Sequence, residues 1–266
     1  MRMKLAKRYG PWALVTGGSE GVGLEWCRAL ARHGISLLIM ARRPAVLECA
    51  AAELRTHGIE VRTLVCDITS PELAEVLREA TTDIELGLVV HNVGSWDRTH
   101  GDFLDDSLEV GLKTVDINCV APLVLAHLFA PNMVKRGHGG LVFLGSLAGI
   151  AGQALEATYS AAKAFTQHFA EALWSELSEQ GVDVVCVPLG GTQTPALQAK
   201  GLMDISMLPT AAQVVAEAMD HLRDGPVFVP VAANRRFFDK TAILDRRAAT
   251  QTMSRLARRA VGTGQT

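Results

Sequence analysis

Tyr159 and Lys163 are the two residues of this chain best placed to move a proton together. Four positions apart, they share one face of a helix, so a phenol and an ammonium can serve one site. A cation about 4 Å from a phenol, at an effective dielectric of ~20, favours the phenolate by roughly 4 kcal/mol. Such a phenol is drawn down toward neutrality, where it can give or take a proton. Most pairs at this spacing are ordinary surface neighbours, so the assignment needs support from elsewhere in the chain.

That support stands near the N-terminus. Trp12-Ala13-Leu14-Val15 is a short apolar run, as in a buried strand, and it feeds Thr16-Gly17-Gly18-Ser19-Glu20-Gly21-Val22-Gly23. Leu24 to Ala31 follows with helical periodicity. Strand, glycine-rich turn and helix in that order form the context of a dinucleotide cradle. Gly17, Ser19, Gly21, Val22 and Gly23 would bring backbone close to a pyrophosphate, and the helix start offers free N–H groups and partial positive charge.

From about Tyr9 to Pro230 the chain resembles the short-chain dehydrogenase/reductase family. The resemblance rests on the glycine motif Thr16 to Gly23, on Cys66-Asp67-Ile68 after the third strand, and on His91-Asn92-Val93-Gly94, a partial match to the family's Asn-Asn-Ala-Gly. It implies that Asp67 and Ile68 lie at the adenine and Asn92 beside the cofactor. It also implies a catalytic tetrad of Asn118, Ser146, Tyr159 and Lys163, with Lys163 on the nicotinamide ribose and Asn118 holding a proton-relaying water. The family's Pro-Gly segment stands here as Leu189-Gly190, followed by Gly191-Thr192-Gln193-Thr194-Pro195; Gly190, Thr192 and Thr194 are expected at the cofactor.

Composition agrees. At 266 residues, 48% apolar, the chain suits one α/β domain, and a formal net charge of −2 provides no basic field for nucleic acid. Five scattered cysteines without a C-x-x-C pair suit buried packing better than metal or redox chemistry. The apolar run after basic Met1–Lys7 is too short for a signal-peptide core, and the longest apolar stretch, Val120 to Val134, falls short of a membrane span. The expected setting is soluble, reducing and cytoplasmic.

Apolar runs at Ile35–Met40, Val61–Val65, Gly87–Val90, Leu141–Leu144, Val182–Val187 and Pro226–Val229 read as further strands. Helical patterns near Pro44–Thr56, Pro71–Ala80, Leu104–Val134, Ala157–Gln180 and Ala211–Arg223 alternate with them. This predicts a Rossmann-like, doubly wound parallel sheet with helices on both faces over residues 1–230. Residues 231–266 form a basic, helical tail of the same domain, solvated or in contact with another subunit; a membrane-surface helix is the sharper alternative.

The expected reaction is hydride transfer between nicotinamide and a carbonyl or secondary alcohol. Tyr159 would protonate the oxygen, and Ser146, at a strand's carboxyl end, would hydrogen-bond it where alkoxide charge develops. Arg42, just past the second strand, is placed to pair a ribose 2′-phosphate, so NADPH is the expected cofactor; Arg43 adds to it or faces solvent, and Glu20 pulls the other way. Leu197, Leu202, Met203, Ile205, Met207 and Leu208 suggest an apolar lid for a steroid, acyl or terpenoid-like ketone. Gln153 and Glu156 stand where a loop should border substrate, while His91, His127 and His168 read as structural. A homodimer or homotetramer through Leu104–Val134 and Ala157–Gln180 is expected. The competing readings are a non-catalytic NADP(H) sensor or scaffold and an enoyl reductase on the same fold.

Overall fold

Alternate residues of each strand face opposite sides, and here both sides are apolar. In a computed structural model, which describes residues 2–94, 102–201 and 204–262, Ala13, Val15, Leu37, Ile39, Leu88 and Val90 enter one core. Trp12, Leu14, Leu38, Met40 and Val89 enter the other. A sheet buried on both faces is what near-continuous apolar strands require.

Helix α1 (Arg2–Tyr9) precedes β1 (Trp12–Thr16), α2 (Gly21–Arg32), β2 (Ser36–Ala41), α3 (Pro44–Arg55), β3 (Val61–Val65), α4 (Leu73–Ala80) and β4 (Leu86–His91). Then follow α5 (Leu108–Val115), α6 (Ala121–Arg136), β5 (Gly139–Ser146), α7 (Ala157–Leu177), β6 (Val182–Leu189), α8 (Pro195–Lys200), α9 (Ala211–Asp220), α10 (Ala232–Ala242) and α11 (Arg246–Gly262). All strand pairs are parallel, in the order β3-β2-β1-β4-β5-β6. The order reverses between β1 and β4, and a ligand crevice opens at the carboxyl ends beside such a reversal. Helices α2, α3 and α9 cover one face; α4, α6 and α7 cover the other.

Three expectations change. Pro226–Val229 is no strand: Val227 makes one bridge to Cys186, with Phe228 N donating to Cys186 O at 2.9 Å. Pro226 lacks an N–H and Pro230 follows at once, so no ladder extends. The expected helix Leu104–Val134 starts at Leu108, where Ser107 caps it by accepting from Val110 N, and a π-turn over Asp116–Val120 joins α5 to α6. The resulting helix, Leu108–Arg136, has 29 residues and is long and apolar enough to cross a membrane by length and composition, longer than the stretch Val120 to Val134 suggested. Ile117, Ala121, Leu125, Phe129 and Met133 pack one side of it into the core, the role of a sheet-covering helix.

His91 ends β4, fully buried, with Nε2 3.1 Å from Ile117 O and Nδ1 3.2 Å from Thr16 Oγ1. A neutral ring, donating through Nε2 and accepting through Nδ1, satisfies both; burial, helped by Lys163, pulls its pKa down to about 3. His127 and His168, by contrast, sit exposed on their helices. The tail folds back onto the sheet domain: Glu217 on α9 accepts from Val231 N at 2.9 Å and pairs with Arg235 at 3.4 Å.

Candidate active site

At the carboxyl ends of β5 and β4, the tetrad residues share one recess. Ser146 is the last residue of β5, its hydroxyl accepting from Ala148 N at 3.2 Å and lying near the phenol of Tyr159 in the first turn of α7. Lys163, one turn on, is 4% exposed and donates from Nζ to Leu144 O at 2.9 Å. Nζ lies 5.8 Å from the centre of the Tyr159 ring. A Cβ on Gly94 would stand 3.2 Å from Lys163 Nζ and 3.9 Å from Asn118 Oδ1, so a side chain at Gly94 would crowd this recess.

The π-turn explains Asn118. Widening the helix there lets the Asn118 carbonyl accept from Thr166 Oγ1 on α7 at 2.9 Å while Nδ2 donates to Thr114 O at 2.9 Å. Oδ1 is fully buried with no protein partner, which calls for a donor from a ligand or water. Nothing in the spacing of Asp116-Ile117-Asn118-Cys119 announces a π-turn.

One expectation about charge is corrected. Lys163 does not draw the Tyr159 phenol down; burial pushes it up to about 12, with Ser146 working against the rise and Glu156 adding to it. Burial likewise brings Lys163 down to about 8. The ammonium is spent on the Leu144 carbonyl rather than on the phenol oxygen. A phenol that keeps its proton is a donor, which suits carbonyl reduction better than alcohol oxidation.

The glycine turn is a cradle that side chains would fill. Gly17 and Gly21 have φ of +68° and +54°, and a Cβ on Gly23 would come within 2.0 Å of Gly17 O. Asn92 Nδ2 braces the turn by donating to Gly17 O at 3.2 Å. Ser19 is buried beside the start of α2. Val22 and Ile68 send their side chains into the core, so only their backbone can serve a cofactor. Thr194 caps α8 by accepting from Leu197 N at 3.2 Å, and a Cβ on Gly21 would lie 3.4 Å from its methyl. Thr192 is buried and donates to Gly190 O at 3.1 Å. Gly190 itself is covered by the amide of Asn234 from α10, a residue the sequence reading missed.

Beyond the end of β2 both arginines meet carboxylates. Arg42 Nη1 is 3.7 Å from Asp67 Oδ2, and Arg43 is ion-paired with Glu20. Asp67 also accepts from the Thr69 amide and hydroxyl. Burial disfavours its charge, but those bonds and the cations Arg42 and Lys113 hold its pKa below the usual range. Arg43 is thus exposed, as one of its two readings has it, and its ion pair with Glu20 keeps it from adding freely to Arg42.

Gln193 pins the segment expected to form the apolar lid. Its amide donates to Pro209 O at 2.9 Å, and Nε2 donates to Leu208 O at 2.7 Å. Leu208 packs on Gly191, Leu197 and Ile205 are partly buried, and Met207 is exposed; Leu202 and Met203 lie outside the described residues.

A parallel sheet that reverses beside a glycine cradle, with Ser, Tyr, Lys and Asn in one recess, defines a dinucleotide-binding α/β protein. The short chain dehydrogenase family model matches residues 11–205. A very-long-chain 3-oxoacyl-CoA reductase of Neurospora crassa is 35% identical over 179 residues, 66% of this chain and 54% of its own length. The chain thus spans about half the length of that curated relative. A solved structure concerned with 7beta-hydroxysteroid dehydrogenase stereoselectivity matches with a TM-score of 0.86 at 26% identity, over 94% of this chain and 98% of that one. A short-chain dehydrogenase from Sphingobium yanoikuyae in complex with NADPH matches with a TM-score of 0.77 at 29% identity, over 87% and 93%. This chain belongs to the short-chain dehydrogenase/reductase family.

Proposed function

We propose that this protein is an NADPH-dependent carbonyl reductase acting on a hydrophobic ketone. The observation that carries it is the Ser146–Tyr159 hydroxyl pair backed by buried Lys163 and the unpartnered Oδ1 of Asn118. Gly17, Ser19, Gly21, Val22 and Gly23 would hold the pyrophosphate, Asp67, Ile68 and Asn92 the adenosine side, and Gly190, Thr192 and Thr194 the nicotinamide end. When bound, the reduced nicotinamide supplies the hydride that converts the carbonyl carbon to a carbinol. Ser146 Oγ orients the carbonyl oxygen, and Tyr159 Oη gives it the proton. Lys163 Nζ holds the ribose and resupplies that proton, with Asn118 Oδ1 fixing the water that leads to solvent. With both hydrogens at the nicotinamide C4 of NADPH replaced by deuterium, one deuterium is expected on the carbinol carbon of the product; an unlabelled alcohol would remove the direct transfer.

The apolar lid residues and the names of the relatives support a steroid or acyl ketone. The proposed setting is the cytoplasm.

Arg42 supports the cofactor assignment, since a 2′-phosphate offers it a stronger partner than the long contact to Asp67. Arg42→Ala is expected to cut the kcat/KM ratio of NADPH over NADH by about ten- to a hundred-fold. An unchanged ratio would assign the 2′-phosphate elsewhere.

A homodimer is proposed through the two long helices. Leu108, Leu112, Val115 and Leu123 on α5 and α6, with Phe165 on α7, are exposed, Leu112 at 55% and Phe165 at 38%. Apolar side chains at helical spacing on adjoining helices form a face that a second copy can cover. Leu112→Glu is expected to give a 28.5 kDa species in light scattering where the wild type gives a multiple of it. Equal masses would refute this interface.

A further inference from the structure

The segment between Ser146 and Tyr159 leaves one proposed catalytic hydroxyl and returns to the other, so it borders whatever oxygen sits between them. It is held from outside by the tail. Ala154 N–H donates to Ser254 Oγ on α11 at 3.0 Å, and Arg246 Nη1 donates to Ile150 O at 3.3 Å. Ala151, Ala249 and Met253 form a small separate core with Phe237 packed against it. From inside, Ser160 Oγ accepts from Gln153 N at 3.4 Å, and Glu156 pairs with Gln153. Between the two clamps Leu155 has φ +66°, a left-handed conformation that is strained for a non-glycine residue and persists only where its surroundings enforce it.

Helix α11 is built for this task. Ala249, Met253 and Ala257, at i, i+4 and i+8, are buried, whereas Arg246, Arg247, Arg255, Arg258 and Arg259 are exposed. The face of α11 that carries Ala249, Met253 and Ala257 is thus spent on its own chain, while Ile243, Leu244 and Leu256 stay exposed.

We propose that α11 braces the substrate-bordering loop 150–156 and that Ser254 is a positioning residue for substrate choice, holding the strained turn that sets Gln153 and Glu156 beside Tyr159. The proposal rests on the reductase reading. Neither Ser254 nor Arg246 touches the reacting atoms; each acts through the loop.

Two readouts test it together on the full chain: amide hydrogen exchange, and the kcat/KM ratio for a polycyclic ketone over a small cyclic ketone with NADPH. Ser254→Ala leaves the Ala154 amide unpaired. It is expected to speed exchange at 151–156 and to shift the substrate ratio by about tenfold, with NADPH affinity and melting temperature little changed. Ser254→Thr, which keeps the hydroxyl, is expected to restore both. Arg246→Ala should move both readouts in the same direction by less. Unchanged exchange, an unchanged substrate ratio, or losses shared equally by NADPH affinity and melting temperature would each overturn the proposal. Should the wild type reduce no ketone, the reductase reading fails by itself. Loosening confined to 151–156 in Ser254→Ala would still support the brace.

Discussion

Tyr159→Phe is expected to lower kcat for ketone reduction by at least about 10³-fold while leaving the Kd for NADPH within about threefold. The substitution removes one oxygen and nothing else. That oxygen is the proposed proton donor and the partner of Ser146, whereas the glycine cradle and the arginines lie at the other end of the crevice. Loss of the phenol also leaves Ser146 alone on the carbonyl oxygen, so the donor and half of the oxyanion support go together. Stopped-flow reduction and equilibrium titration with NADPH check the two halves separately. A variant that kept a tenth of the wild-type rate would take Tyr159 out of the role of acid.

Lys163 should behave differently, because it is proposed to serve two partners. Lys163→Ala is expected to raise the Kd for NADPH by about tenfold and to lower kcat by about 10²-fold or more, since a charge-assisted bond to the ribose and the proton resupply are lost together. Its titration gives a second handle. Burial lowers Lys163 to about 8, so the protonated, hydrogen-bonding form prevails below that pH and is lost as pH rises through it. Tyr159, pushed up to about 12, keeps its proton over the same interval, so it cannot be the group that titrates. The rate of reduction is therefore expected to fall as pH rises through about 8, and Lys163→Arg, whose guanidinium stays charged and cannot pass a proton on, should show a much lower rate with no such limb. A limb that survives the arginine substitution would belong to another group.

What the sequence made legible was local. The Tyr159–Lys163 spacing, the glycine turn after an apolar strand and the arginines after β2 are each written within a few residues, and each stands where its pattern placed it. The features that escaped depend on contacts between distant segments or on helix register. The π-turn at Asn118 is one extra residue in a helix whose apolar periodicity is continuous on both sides. The Glu20–Arg43 pair joins the glycine turn to the end of β2, and its partner choice is visible only when both turns meet at the carboxyl ends of β1 and β2. Ser254 and Ala154 are a hundred residues apart, so the sequence of the tail shows its charged surface and not its contact with Ala151. The phenol escaped for a different reason: i,i+4 geometry gives proximity, but Leu144 O competes successfully for the ammonium.

The central claim is that this recess reduces carbonyls, and direct turnover tests it best. Purified protein with NADPH is offered a panel of steroid, 3-oxoacyl and cyclic ketones, with cofactor absorbance and product alcohol both followed. At least one hydrophobic ketone is expected to consume NADPH and yield its alcohol in equal amounts, and Tyr159→Phe to do neither. Tight NADPH binding without oxidation by any ketone, or by the corresponding alcohols with NADP⁺ in reverse, would contradict it and make the protein a nucleotide sensor on an enzyme's fold.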